Sequence, residues 1–276
     1  MPFTLIKGHF KPEAGIPDGD SVRFLADDLS LWKKLAGKPA KLGTGVETKN
    51  TVQLRFEGID SIEKGATQPL ATKSRDNMFR LIGHAPAVPE PRGYILARMT
   101  DDQSGRPICF VYAGGTARGD GSEVFLDPPL LRQSVNYQQM KDGFAYPLYY
   151  NTLFAALRAQ FDVALALAKQ KGRGYWPTDA TRPGVTMRTE ADLKTIRPVW
   201  PKLWRRLQEY FGKNPPPPNL NGFVAFLTAK NERVDILSLM EERGLQDLVQ
   251  VNGNRVKLLF DPENLRVVGK VGQRHR

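Results

Sequence analysis

The 276-residue chain has a single cysteine, Cys109, and three histidines. A lone thiol closes no internal disulfide, so the chain is expected in a reducing, cytoplasmic setting. His9, His84 and His275 are scattered, and neither HExxH nor CxxC occurs, which argues against zinc hydrolysis and zinc-finger recognition. No GK[ST] follows a glycine pair, so a Walker loop is missing, and Gly114, Gly115, Gly119 and Gly121 read as a surface loop. No apolar run nears the ~18 residues that suggest a membrane span. The N-terminal stretch also lacks the apolar core of a signal peptide, so neither membrane nor export is expected. Metal chemistry, if present, must fall to carboxylate oxygens, which suits Ca²⁺, Mg²⁺ or Mn²⁺.

What the chain does have is positive charge. Lys and Arg number 40 against 29 Asp and Glu, for a net charge of +11 and a pI near 9.7. Such an excess attracts polyanions, nucleic acid among them. It is spread along the chain, +5 in residues 1–185 and +6 in 186–276, rather than gathered in a basic tail.

The hydropathy pattern divides the chain into an α+β region of short strands and helices, then a second, smaller α+β module. Strands are expected at 21–25, 52–57, 94–99 and 108–112, the last two as a hairpin, and helices at 68–82, 130–141 and 151–171. Residues 27–50, rich in Lys and Gly, form an excursion between the first two strands. Few short strands with packed helices point to a small barrel. After a polar connector, Ile196, Trp200, Leu203, Trp204, Leu207 and Phe211 fall at helical spacing. Four prolines, 215–218, form an extended spacer. Helices are expected near 222–228 and 234–243, and Asn252-Gly253 marks a hairpin between 249–251 and 256–260.

The segment Leu54-Arg55-Phe56-Glu57-Gly58-Ile59-Asp60-Ser61-Ile62-Glu63 puts a cation on a strand and two acids in the following loop. Upstream, Asp18-Gly19-Asp20 presents carboxylates at the start of a strand; downstream, Gly105-Arg106 ends the hairpin tip. Carboxylates for a divalent ion, guanidiniums that grip two phosphate oxygens at once, and a base for water make up the chemistry of phosphodiester cleavage. Taken alone, the segment reads more readily as a solvated strand face running into a polar turn.

The ordered set DGDSV, LRFEGIDSIE, the Gly-Arg hairpin and the helical run ending in Gly174-Tyr175-Trp176 resembles the staphylococcal nuclease (thermonuclease) family over about residues 14–180. The resemblance implies an OB-fold, a five-stranded β-barrel with packed helices, in a nuclease domain over residues 1–180. Residues 181–276 then form an accessory α+β domain. It implies a Ca²⁺-dependent endonuclease acting on DNA and/or RNA, with Mg²⁺ or Mn²⁺ as possible substitutes, leaving 3′-phosphate and 5′-hydroxyl ends. By the same resemblance Asp20 and Asp60 hold the metal through their carboxylates and Ser61 through its carbonyl. Glu63 is the general base, and Arg55 and Arg106 bind the scissile phosphate. Tyr149 matches a nucleotide-contacting tyrosine, or is a core residue. The family's Thr and Pro are here Ser61 and Ile62, which loosens the loop bearing Glu63. The 27–50 excursion is longer than usual and is placed to cover or extend the substrate groove. The alternative is a non-catalytic nucleic-acid-binding or scaffold protein that keeps the barrel.

The module from 186 onward lies outside the resemblance and would serve substrate choice, a protein partner or self-association. Lys202, Arg205 and Arg206 alternate with Trp200 and Trp204. They form either a stacking and phosphate surface or a buried Trp stripe with a solvated basic face.

Overall fold

Phe3–Lys11 alternates buried and half-buried side chains except at the buried pair Leu5 and Ile6, the pattern of a strand with one face in a core. In the computed structural model, which describes residues 2–270, this segment is the central strand β1. The elements that follow are β2 (Arg23–Ala26), β3 (Val52–Gln53), β4 (Arg55–Phe56), β5 (Gly58–Asp60), α1 (Leu70–Ile82), β6 (Arg92–Thr100), β7 (Pro107–Ala113), β8 (Glu123–Val124), α2 (Pro128–Leu131), α3 (Val135–Lys141), β9 (Tyr146–Tyr150) and α4 (Ala155–Gln170). Beyond residue 180 come β10 (Val185–Thr186), α5 (Pro201–Phe211), α6 (Phe223–Lys230), β11 (Glu232–Ile236), β12 (Glu241–Gly244), β13 (Val249–Asn252), β14 (Arg255–Leu258) and β15 (Leu265–Lys270). No helix among the described residues is long and apolar enough to cross a membrane.

The main sheet runs β3-β2-β1-β6-β7-β4, with β8 on β1. Its two ends are consecutive in the chain: β3 pairs with β2, and β4 pairs with β7. The stretch 52–56 therefore bridges both edges, and the sheet curls into a nearly closed barrel. The fold is α+β with a barrel-like sheet and several helices, compatible with an OB-like barrel. The sheet holds seven strands, more than the five expected. Beyond the four strands that the pattern predicts here, the sheet has β1, β8 and one more from the division of 52–57 into two short pairings that face different neighbours.

Most helices form where expected, with edges set by their caps. α1 stops at Gly83, which adopts φ +81. The helix expected over 130–141 is two, because the Ser134 side chain accepts a hydrogen bond from the Tyr137 amide and starts α3 afresh. The helix expected over 234–243 is instead the antiparallel hairpin β11–β12. There Glu232, Val234 and Ile236 are buried while Arg233 and Asp235 between them are not, a period of two rather than 3.6. The Asn-Gly hairpin forms as β13–β14.

Two apolar cores share strand β9. Tyr149 joins the barrel core with Phe56, Phe110 and Phe161. Tyr146 and Leu148, pointing the other way, join Tyr175, Trp200, Leu203 and Leu207. A second sheet, β12-β11-β15-β9-β5, crosses residue 180, with β15 parallel to β9.

Gly58 ties this framework to the chemistry-bearing loop. It opens β5 at φ +80, and a Cβ there would lie 2.7 Å from Phe161 Cε2, whose ring is fully buried. Gly58→Ala is therefore expected to lower stability by roughly 1–3 kcal/mol, read as a lower thermal midpoint. An unchanged midpoint would mean that the loop and α4 move apart freely.

Candidate active site

A cavity of about 880 Å³ opens where the barrel meets α5, β11 and β15. Three separate chain segments deliver the residues singled out in the sequence. Asp18 and Asp20 stand just before β2, Arg55, Asp60 and Glu63 lie along β4, β5 and the loop after them, and Arg106 ends the β6–β7 connection; all line the cavity.

Short polar ties hold the first two segments together. Ser61 Oγ donates to Asp20 Oδ1 at 3.0 Å and accepts from the Gly19 amide at 3.0 Å. The Phe56 amide donates to the Asp20 carbonyl, and Gln139 Nε2 donates to the Gly19 carbonyl at 2.7 Å. The Ile62 amide donates to Tyr175 Oη at 3.4 Å, an anchor for the loop where the family pattern has proline.

Arg55 Nη2 donates to Tyr150 Oη at 2.8 Å, and its guanidinium lies 5.1 Å from that ring's centroid. Burial opposes its charge, but Tyr150 and Asp60 more than offset this and raise its pKa. Arg106 Nε donates to Asp101 Oδ2 at 3.2 Å and to Ser104 Oγ at 3.0 Å, so the hairpin tip orients it. Tyr149 does not reach the cavity. It is fully buried, and its hydroxyl donates to Asp162 Oδ1 at 2.7 Å. The cavity-lining tyrosine is its neighbour Tyr150, on the other face of β9.

The acids crowd one another. Burial, then Asp18, Asp60 and Glu63, push the Asp20 carboxyl well above the usual carboxylate range. Burial also raises Glu63, against the opposing pull of Arg205. Glu57, likewise raised by burial, has Oε1 buried without a hydrogen-bond partner among the described residues. Nine carboxylates and six Lys or Arg side chains line the cavity. A chain of net charge +11 thus surrounds this hollow with an excess of acid.

The residue at this cavity whose place the sequence does not disclose is Arg205, on α5. Its Nη1 and Nη2 donate to Asp60 Oδ1 and Oδ2 at 2.9 and 2.8 Å, and Nη1 also donates to Glu63 Oε1 at 2.7 Å. Both oxygens of one expected metal ligand and one oxygen of the expected base are therefore engaged by a guanidinium. Among the described residues no group of three or more His, Cys, Asp or Glu side chains is arranged to hold a metal ion. As arranged, the Asp20, Asp60 and Ser61 set does not fit a divalent cation, because Arg205 already supplies the positive charge at Asp60.

The rest of α5 explains why Arg205 arrives there. Its Trp stripe is buried as one of the two expectations had it: Trp200 Nε1 donates to the Pro147 carbonyl and Trp204 Nε1 to the Leu193 carbonyl. Its basic face, however, is not solvated. Lys202 is 5% exposed and donates to Glu232 Oε1 at 2.7 Å, while Arg206 Nε donates to Glu232 Oε2 at 2.6 Å. The 27–50 excursion takes no part in the cavity lining and instead runs beside the β6–β7 hairpin, with Thr100 Oγ1 donating to the Lys38 carbonyl. Compared with protein-family models and with curated proteins, the chain matches none.

Proposed function

We propose that the protein is a nuclease of the staphylococcal nuclease type that hydrolyses phosphodiester bonds of DNA and/or RNA in this cavity, with a divalent cation such as Ca²⁺ able to enter only once Arg205 has left Asp60. The observation that carries the reading is the convergence of Arg55, Arg106, Asp60 and Glu63, from distant parts of the chain, on one solvent-reached hollow. Arg55, braced by Tyr150, and Arg106, braced by Asp101, are suited to grip the phosphate oxygens as negative charge builds on them. Glu63, once released from Arg205, is suited to take the proton of an attacking water. The basic surface outside the hollow draws in the polyanion.

A second reading is a non-catalytic nucleic-acid-binding protein, and the observation favouring it is Arg205 on the acid pair. Incubation with plasmid, single-stranded DNA and RNA, with Ca²⁺, Mg²⁺, Mn²⁺ or chelator, separates the two. Cation-dependent cleavage, lost with chelator and leaving 3′-phosphate and 5′-hydroxyl ends, is expected for the nuclease. Salt-dependent binding with no cleavage under any cation would select the second reading.

A further inference from the structure

We infer that Arg205 is a built-in counterion at the Asp60–Glu63 pair, so that helix α5 and a divalent cation exclude one another there. The inference rests on reading this pair as part of the cutting site, and it concerns how that site is regulated. The planar guanidinium meets both Asp60 oxygens in parallel and reaches Glu63 with the same nitrogen that serves Oδ1. A hard cation seeks the same oxygens, and two positive groups within one coordination radius repel.

The contact is held in place by its helix. Residues on either side of Arg205 are fixed: Trp204 donates to the Leu193 carbonyl, and Lys202 and Arg206 both grip Glu232. Trp200, at the start of the same helix, hydrogen-bonds to β9 through the Pro147 carbonyl. Releasing the pair therefore means swinging the Arg205 side chain away or shifting α5 from the barrel. An ion competing with this contact binds with an apparent affinity reduced by the fraction of molecules in which the pair is free.

Calcium binding to the full chain, measured by titration calorimetry with Ca²⁺ alone, tests this. Arg205→Gln, which keeps a polar side chain of similar reach but no charge, is expected to bind Ca²⁺ at least about tenfold more tightly than the wild type. Arg205→Lys, which keeps the charge and loses the fork, is expected to fall between them, and serves if the glutamine variant does not fold. Affinities equal across the set, or no calcium binding by any folded variant, would overturn the inference. Cleavage is scored separately. A variant that binds Ca²⁺ more tightly yet cuts no nucleic acid removes the nuclease reading and leaves the counterion standing, whereas cleavage with unchanged affinity does the reverse.

Discussion

Glutamine at position 232 is expected to cost the fold about 3–5 kcal/mol, because it leaves the buried Lys202 and the half-buried Arg206 without their shared counterion. Glu232 is 7% exposed and accepts from Lys202 Nζ at 2.7 Å and from Arg206 Nε and Nη2 at 2.6 and 2.7 Å. Burial alone would raise its carboxyl, but the Arg206 hydrogen bonds and the Lys202 charge outweigh burial and bring it from 4.5 down to about 2. The sign follows directly. A carboxyl depressed in the folded state stabilises above its unfolded pKa, and that stabilisation is lost as pH falls through the folded value. The gap in unfolding free energy between wild type and Glu232→Gln should thus be full at pH 7. It should close by about 3 kcal/mol between roughly pH 4.5 and 2. Denaturant melts across that range measure it. A gap independent of pH would mean that Glu232 is neutral in the folded protein.

Removal of Arg55 or of Arg106 is expected to lower phosphodiester cleavage by about a thousandfold at saturating cation, with a smaller change in KM. In the proposed reaction both side chains would act where charge accumulates on phosphorus-bound oxygen, so their effect would belong mainly to kcat. Arg55→Lys should not restore the rate, since an ammonium offers a point charge in place of a two-pronged fork. Arg55 is supported by Tyr150, and Arg106 by Asp101, whose carboxylate also accepts from the Ser104 amide and hydroxyl and so keeps partners when Arg106 is removed. Both alanine variants should therefore keep a thermal midpoint close to the wild type. Full activity in Arg55→Ala and Arg106→Ala alike would remove these residues from the chemistry.

The local parts of this site were legible in the sequence because they lie within a few residues of one another. Arg55, Asp60 and Glu63 share one strand-loop segment, and Asp20 precedes a strand that pairs beside it. Of the two alternatives for Tyr149 the structure shows the core one, and the sequence leaves both open because Tyr146–Tyr150 is an unbroken run of ring and apolar residues, four of them buried, with no alternation to say which face is which. The β11–β12 hairpin was misread for a related reason: two buried aliphatics at a spacing of two leave little periodicity to weigh against a helix. Arg205 was visible as a basic residue on an amphipathic helix, but its partner Asp60 lies 145 positions away. A helical wheel tells which side of α5 is polar and is silent about what the polar side meets.

The sheet that crosses residue 180 has a bearing on how this chain can be divided. Strand β9 has β5 on one side and β15 on the other. A polypeptide ending at the apparent boundary would leave a row of amide and carbonyl groups on β9 facing nothing, beside the uncovered Tyr146 and Leu148. An open edge next to bare aromatic surface is a template for self-association. The C-terminal portion is in this sense the missing wall of the barrel's neighbour, and gain or loss of that portion by recombination would have to carry a replacement strand with it.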